Sequence, residues 1–367
     1  MILKINQRSY NVTDLAARIA LVLLLIYWIM PWRFASHYEF LHQNQISEEL
    51  VEQVTSNISM QRMPSCDYSD IIADNANTYR PQYREHVLRG EEIIPGGEYF
   101  PEECSARFST AIIVPYRKRE EQLHAFLIYM HNYLRQQRIH YRIFLIEQYD
   151  QKPFNRAKLF NIGSVIAAEL EFPCLILHDV DLLPMNLGQL YACTLNPRHM
   201  CSALDIFRFT LPYRGLFGGV VAIRTQQYRF INGMSNLFEG WGGEDDDFFN
   251  RLYSHKIDIC RFEPGYSKYT MMRHKPEKKN EDRLKLLRNG YKRFLTDGLN
   301  SLEYKEKERR LHSLFTHILV ETVSARNSPF GRSSKKLFIM ITCALTTNQK
   351  QKLLQVLLAE MYDCTLR

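Results

Sequence analysis

The chain has 367 residues, 46% apolar and 24% charged, enough for one large domain or two small ones with a substantial core. Those proportions exclude an intrinsically disordered chain, a collagen and a multi-span membrane protein. The formal charge of +7 is modest and its excess is local: Arg273, Lys275, Lys278, Lys279, Arg283, Lys285, Arg288, Lys292 and Arg293 fall close together, a run that reads as a solvated face. Aromatics reach 12%, which suits sugar or base stacking and equally an ordinary core.

In chain order, the first feature is apolar. Residues 19–30 read IALVLLLIYWIM, after Lys4, Arg8 and Arg18 and before Pro31, Trp32 and Arg33. A spanning helix wants roughly 20 apolar residues, so this is a short one that fits the thinner bilayers of the early secretory pathway. The positive N-terminal flank predicts a cytosolic tail (1–18), a signal anchor (19–32) and a lumenal remainder. A buried helix or a cleaved signal peptide are the other readings. A lumenal location permits disulfides among the eight cysteines and makes Asn57, in Asn57-Ile58-Ser59, a glycan acceptor. No CxxC or HExxH occurs, which disfavours a structural zinc site or a zincin.

Residues 33–65 are polar and read as a stem. Residues 66–108, rich in Pro, Gly, Tyr and Glu, read as irregular structure. Then alternation begins. TAIIVPY (110–116) reads as a buried strand, 119–136 as a helix with Leu123, Phe126, Leu127, Met130 and Leu134 on one face, and YRIFLI (141–146) as a second strand. RAKLFNIGSVIAAE (156–169) reads as a second helix, and PCLIL (173–177) as a third strand running into His178-Asp179-Val180-Asp181. This βαβ alternation predicts a parallel sheet, whose ligands bind beyond the carboxyl ends of the strands. No GxGxxG or Walker A loop is present, which disfavours a dinucleotide or P-loop site.

Asp179 and Asp181, two apart on an extended segment, point to the same side and make a hard-oxygen site for Mg²⁺ or Mn²⁺. Glu244, Asp245, Asp246 and Asp247 follow Trp241-Gly242-Gly243. A helix N-terminus explains one or two such acids well and four poorly. Met271-Met272-Arg273-His274 follows a further strand. Judged by chemistry alone, a soft thioether is a poor ligand for Mn²⁺ and His274 reads as structural.

Seven ordered stretches carry a resemblance: VPYRKREEQL (114–123), FNRAKLFNIG (154–163), HDVDLLPMN (178–186), LPYRGLFGGVVAI (211–223), GWGGEDDDFFNRL (240–252), MMRHKPEKKNE (271–281) and LTDGLNSL (295–302). Over residues 66 to about 320 the chain resembles the β-1,4-galactosyltransferase family of Golgi enzymes. The resemblance implies an α/β GT-A fold, Rossmann-like and built for a nucleotide-sugar, on a type II single-pass anchor. It implies a lumenal catalytic domain (66–325) and a Mn²⁺-dependent inverting transfer from a UDP-sugar to a terminal GlcNAc. By the resemblance, Arg117, Arg119, Phe154 and Arg156 match contacts to the uridine diphosphate, and Asp179 a donor-contacting carboxylate. Asp181, Met271 and His274 match Mn²⁺ ligands. Trp241 matches a mobile-loop tryptophan covering donor and acceptor. Glu244 and Asp245 match acceptor-binding carboxylates, with Asp245 the general base. Arg283, Leu284 and Leu287, in a closing loop from Met272 to about Asn289, match contacts to the acceptor's N-acetyl group. The resemblance also implies disulfides Cys66–Cys104 and Cys174–Cys193.

Three departures stand out. Glu239 replaces a tryptophan and Ile206 a lysine near the phosphates. Leu216 stands where vertebrate galactosyltransferases have tyrosine. In the resembling invertebrate enzymes an aliphatic residue there accompanies N-acetylgalactosamine transfer, because it leaves room for the acetamido group. The expected reaction is therefore GalNAc transfer from UDP-GalNAc to the 4-hydroxyl of GlcNAc on a glycoprotein or glycolipid. Galactose transfer from UDP-Gal is the alternative, and an inactive lumenal scaffold the rival from another class. A nucleic-acid partner is not expected in a lumenal domain. An accessory membrane protein or a homodimer is left open. Residues 326–367 form an extension with no assigned role.

Overall fold

The computed structural model describes residues 2–5, 8–29, 38–55, 63–73, 93–275 and 277–323. Asn57, Cys343, Cys364 and the extension from 326 lie outside the described residues. Residues 303–305 and 322–367 group as a small second unit, little of which is described.

The N-terminal apolar segment forms helix α1 (Val12–Ile29), long and apolar enough to cross a membrane, with no buried residue. It starts six residues before the expected cytosolic tail ends. The expected stem is shorter than its composition suggests. Residues 38–55 pack on the domain, with helix α2 (Gln43–Glu49) burying Ile46 completely and Leu41 bridging to Phe262.

The main sheet is built as the alternation predicts. Strands β1 (Glu98–Tyr99), β2 (Ser109–Tyr116), β3 (His140–Gln148) and β4 (Cys174–His178) are interleaved with helices α3 (Glu120–Gln136) and α4 (Arg156–Glu169). All eight residues of β2 are buried, which is why it reads as a continuous apolar run. β2 pairs in parallel with both β3 and β4. α3 is buried over the whole of Phe126–Leu134 rather than on one stripe. Within it, the buried His131 bonds Tyr141 Oη at 2.8 Å and the Leu314 carbonyl at 2.7 Å.

Beyond β4 the chain adds β5 (Leu182–Pro184), β6 (Arg198–His199), β7 (Ala203–Leu204) and β8 (Val220–Arg224). Helix α5 (Glu244–Ser254), β9 (Lys268–Met271), α6 (Arg283–Arg288), β10 (Tyr304–Leu311) and β11 (Thr316–Thr322) follow. The sheet order is β10-β11-β3-β2-β4-β8-β6, with β1 on β3, and β5-β9-β7 form a small second sheet. The parallel centre is thus flanked by antiparallel strands: β8 runs antiparallel to β4. Disulfides Cys66–Cys104 (Cα–Cα 5.0 Å) and Cys174–Cys193 (5.6 Å) are both present, and Cys201 and Cys260 are free.

Candidate active site

Because β2 and β4 run in parallel, the residues that follow them emerge at one edge of the sheet. Arg117 and Arg119 follow β2, and Asp179 and Asp181 follow β4. Arg156 opens α4, whose N-cap Asn155 accepts a bond from the Lys158 amide at 2.9 Å. These residues line one cleft with Phe154, Trp241, Glu244 and His274.

On one side of the cleft, Arg156 ties two acids together. Its Nε donates to Asp179 Oδ1 at 2.5 Å, and its Nη1 lies 3.6 Å from Glu244 Oε1. Burial opposes the guanidinium charge, but Asp179, Glu244 and Asp245 around it more than offset that and hold its pKa above the usual value. Glu244 is buried, and its Oε2 has no hydrogen-bond partner among the described residues. Burial, with the charge of Asp245, pushes Glu244 up to about 7. Arg117 lies over the Phe154 ring (5.2 Å to the centroid) and donates to the Lys152 carbonyl at 2.6 Å.

On the other side, His274 Nδ1 lies 2.7 Å from Asp181 Oδ2. Burial and Asp179 push Asp181 up to about 6, against the pull of His274 and Arg119. β9 brings Met271 opposite Leu182, and the Met272 amide donates to the Asp181 carbonyl at 2.8 Å. Asp205 fixes this strand, accepting from the Met271 amide (3.1 Å) and from Thr270 Oγ1 (2.6 Å).

The segment after His274 covers the cleft. Arg119 donates to the Lys275 carbonyl (2.7 Å) and Gln122 to the Arg273 carbonyl (2.9 Å), while Glu277 reaches Arg117 at 3.6 Å. Trp241 pairs with this strap, its amide donating to the Lys278 carbonyl (2.8 Å) and its carbonyl accepting from Asn280 (3.0 Å). Arg283 stands 5.9 Å from the Trp241 ring, which is 55% exposed.

The four consecutive acids have four separate environments, which lessens their mutual repulsion without removing it, since Asp245 still raises both Glu244 and Asp246. Glu244 faces Arg156. Asp245 faces Gly218. Asp246 accepts from Tyr213 Oη at 2.9 Å, and Asp247 accepts from the buried Arg251 at 3.0 Å. Gly243, at φ 94°, makes the turn that starts this helix.

Two family models match this chain: the N-terminal region of glycosyl transferase group 7 over residues 71–194, and the N-terminal domain of galactosyltransferase over residues 198–275. β-1,4-Galactosyltransferase 4 of Cricetulus griseus is 41% identical over 241 residues, 65% of this chain and 70% of that protein. The chain belongs to the β-1,4-galactosyltransferase family. β-1,4-Galactosyltransferase 1 of Homo sapiens is 42% identical over 230 residues, 62% of this chain, and the chain spans 58% of that relative's length. Among solved structures, the catalytic domain of Drosophila β-1,4-galactosyltransferase 7 with xylobiose matches with a TM-score of 0.53 at 29% identity, covering 60% of this chain and 96% of that one. A mutant of that enzyme with manganese, UDP-Gal and xylobiose gives 0.54 at 28% identity with the same coverage. The GT-A fold expected from the sequence is the fold observed.

Of the expected site residues, Arg117, Arg119, Phe154, Arg156, Asp179, Asp181, Trp241, Glu244 and His274 line the cleft directly. Met271, Asp245 and Leu216 are not among the lining residues. Leu216 is half-buried in the turn before Gly218 and Gly219, where the Gly219 carbonyl accepts from the Asp179 amide at 3.1 Å. Leu284, 56% exposed, and Leu287 lie on α6 outside the cleft lining. Sequence reasoning missed Glu277, Asp205 and Arg261. Glu277 sat within a quoted motif, but its pairing with Arg117 spans 160 positions and leaves no local signal.

Proposed function

We propose that this chain is a Golgi type II enzyme that transfers GalNAc from UDP-GalNAc to the 4-hydroxyl of a terminal β-GlcNAc, with inversion and with Mn²⁺. Its catalytic domain would span residues 66–325, joined by the packed segment 38–55. The observation that carries the reading is a single one. Two carboxylates after β4, an imidazole after β9 and three arginines converge in one cleft at the carboxyl end of a parallel sheet.

Asp181 and His274 offer oxygen and nitrogen donors that fit Mn²⁺ and would hold it, and Met271, on the adjoining strand, would supply a third, softer ligand as the family resemblance implies. When bound, the ion supplies Lewis-acid stabilisation of the departing diphosphate. Arg117 and Arg119 add fixed positive charge for the same anion, and Phe154 offers a flat apolar face to the base. Arg156 holds Asp179 in place. Asp245 takes the proton from the acceptor hydroxyl as it attacks the anomeric carbon from the face opposite the diphosphate. Glu244, at about 7, is partly protonated at neutral pH and can donate a hydrogen bond to the acceptor. Trp241 and the strap over the cleft exclude water.

Galactose transfer is the second reading, favoured by the relatives' names and by the UDP-Gal in the Drosophila structure. Leu216 decides between them. Turnover of UDP-GalNAc and UDP-Gal by the detergent-solubilised full chain, with Mn²⁺ and a GlcNAc-terminated acceptor, is the test. UDP-GalNAc should be preferred. Leu216→Tyr should move the ratio toward UDP-Gal by tens to a few hundred-fold, since excluding a few heavy atoms changes the barrier by roughly 1–3 kcal/mol. A parent enzyme using UDP-Gal at least as well would defeat the donor assignment and leave the metal and base untouched.

A further inference from the structure

Arg261 is a buried cation, 5% exposed, with no carboxylate paired to it among the described residues. Its side-chain hydrogen bonds reach one turn, two of them directly and one through His199. Nη2 donates to the carbonyls of Arg214 and Leu216, each at 2.9 Å, and Nε donates to His199 Nδ1 at 3.2 Å. His199 Nε2 in turn meets the Gly218 carbonyl at 3.1 Å. One neutral tautomer, with its proton on Nε2, satisfies both bonds. Burial, with Arg261 alongside, holds His199 well below the usual pKa, so it stays in that form. Three backbone carbonyls in the turn 214–218 are thereby fixed by one guanidinium and one imidazole. The same turn carries Leu216, places Gly218 against Asp245 and leads to Gly219, which accepts from Asp179.

The other face of Arg261 is closed by residues just beyond the apolar helix. The Tyr38 ring lies 5.2 Å from the guanidinium, and Tyr38 Oη donates to Ser202 Oγ at 3.3 Å. The Leu41 amide donates to the Arg261 carbonyl at 2.8 Å. Tyr38 is nine residues past Ile29, the end of α1, in a stretch that composition alone assigns to a spacer.

We propose that Arg261 is a positioning residue for the donor-discriminating turn, and that Tyr38 holds Arg261 in that role. The segment next to the membrane anchor is therefore part of the support of the donor site. This rests on the reading of Leu216 as the residue that selects the donor sugar. A guanidinium bonded to two carbonyls fixes their spacing, and the spacing sets how far the Leu216 side chain stands from the sugar's C2 substituent. Both carbonyl bonds come from Nη2 and the His199 bond from Nε, two nitrogens of one rigid plane; a lysine has a single nitrogen and cannot occupy both places.

The test uses the full chain in detergent with Mn²⁺ and compares Arg261→Lys, Arg261→Met, Tyr38→Ala and Tyr38→Phe, with Leu216→Tyr as the reference. The readouts are the ratio of kcat/KM for UDP-GalNAc over UDP-Gal and the affinity for UDP, which lacks the sugar. Arg261→Met, Arg261→Lys and Tyr38→Ala should lower the ratio by roughly tenfold with UDP affinity unchanged, and Tyr38→Phe should keep the parent ratio. If Leu216→Tyr moves the ratio and neither Tyr38→Ala nor the Arg261 variants do, the clamp is overturned and the donor reading stands. If Leu216→Tyr has no effect, the donor reading fails and the clamp falls with it. Parallel loss of UDP affinity and ratio in every variant would show general support of the fold and overturn the proposal. Should the Arg261 variants not accumulate, the Tyr38 pair decides alone.

Discussion

Gly218→Ala tests the place of Asp245 in the chemistry with a single methyl group. A Cβ built on Gly218 would lie 2.5 Å from Asp245 Oδ2, 3.1 Å from its Cβ and 3.2 Å from its Cγ, whereas ordinary contacts begin near 3.4 Å. The carboxylate oxygen must retreat by 3.4 − 2.5 = 0.9 Å. The Gly218 backbone is not in the left-handed region, so alanine fits it without backbone strain. The worst overlap is at the end of a rotatable side chain, and the Asp245 Cβ must give by a few tenths of an ångström, so the loss in melting temperature should be small. A misplacement of about 1 Å at a catalytic group costs about 10²-fold in rate. The expected result is therefore a fall in kcat of that order at saturating donor and acceptor, with UDP binding preserved. Gly219→Ala is the contrasting variant. Its φ of 75° and contacts of 2.6 Å to Cys201 Sγ and 2.8 Å to Leu182 Cδ1 predict lost stability instead. A Gly218→Ala enzyme with the parent kcat would refute the assignment of Asp245 as the base.

Asp245→Asn should lower the rate by roughly 10² to 10⁴, the usual contribution of a general base, with UDP and Mn²⁺ affinity unchanged; a surviving rate would move the role to Glu244. His274→Ala should cost at least roughly 100-fold of the Mn²⁺-supported rate, corresponding to several kcal/mol of Lewis-acid stabilisation, while leaving the melting temperature near the parent's; undiminished activity would remove His274 from the ligand set. Burial and the charge of Asp245 raise Glu244 to about 7, well above the usual carboxylate range. A raised folded-state pKa means that its contribution to stability is fully present below the unfolded value and is lost as pH rises through about 7. Glu244→Gln should therefore gain stability relative to the parent between pH 5 and pH 8, by at most about 3 kcal/mol, and a pH-independent difference in thermal unfolding would contradict a carboxyl raised by burial with one oxygen unpartnered.

The central elements were legible because each rests on a local pattern. The strand at 109–116 is buried on both faces, so it is apolar throughout, and the helix at 156–169 was read to its observed ends. The Asp179–Asp181 pair was legible because it follows a buried strand directly. The segment 38–55 was misread because its anchors are sparse: Ile46 is completely buried, yet it stands in a run of Gln, Asn, Ser and Glu. The electrostatics were not legible at all. Arg156 meets Asp179 across 23 positions and Glu244 across 88, and the acid run gives no sign that its four members face different neighbours. Spacing along the chain offered only Asp179 and Asp181 as a metal pair; the diphosphate contacts and the proton acceptor were implied by the family resemblance. Which carboxylate sits near 7 follows from burial and from the charges that reach it through the fold. Glu244 and Asp245 are adjacent in sequence, but only Glu244 is sealed behind Arg156 with one oxygen unpartnered. Two neighbouring acids can therefore divide the work, one as proton acceptor and one as hydrogen-bond donor, because the fold places them in different dielectric surroundings.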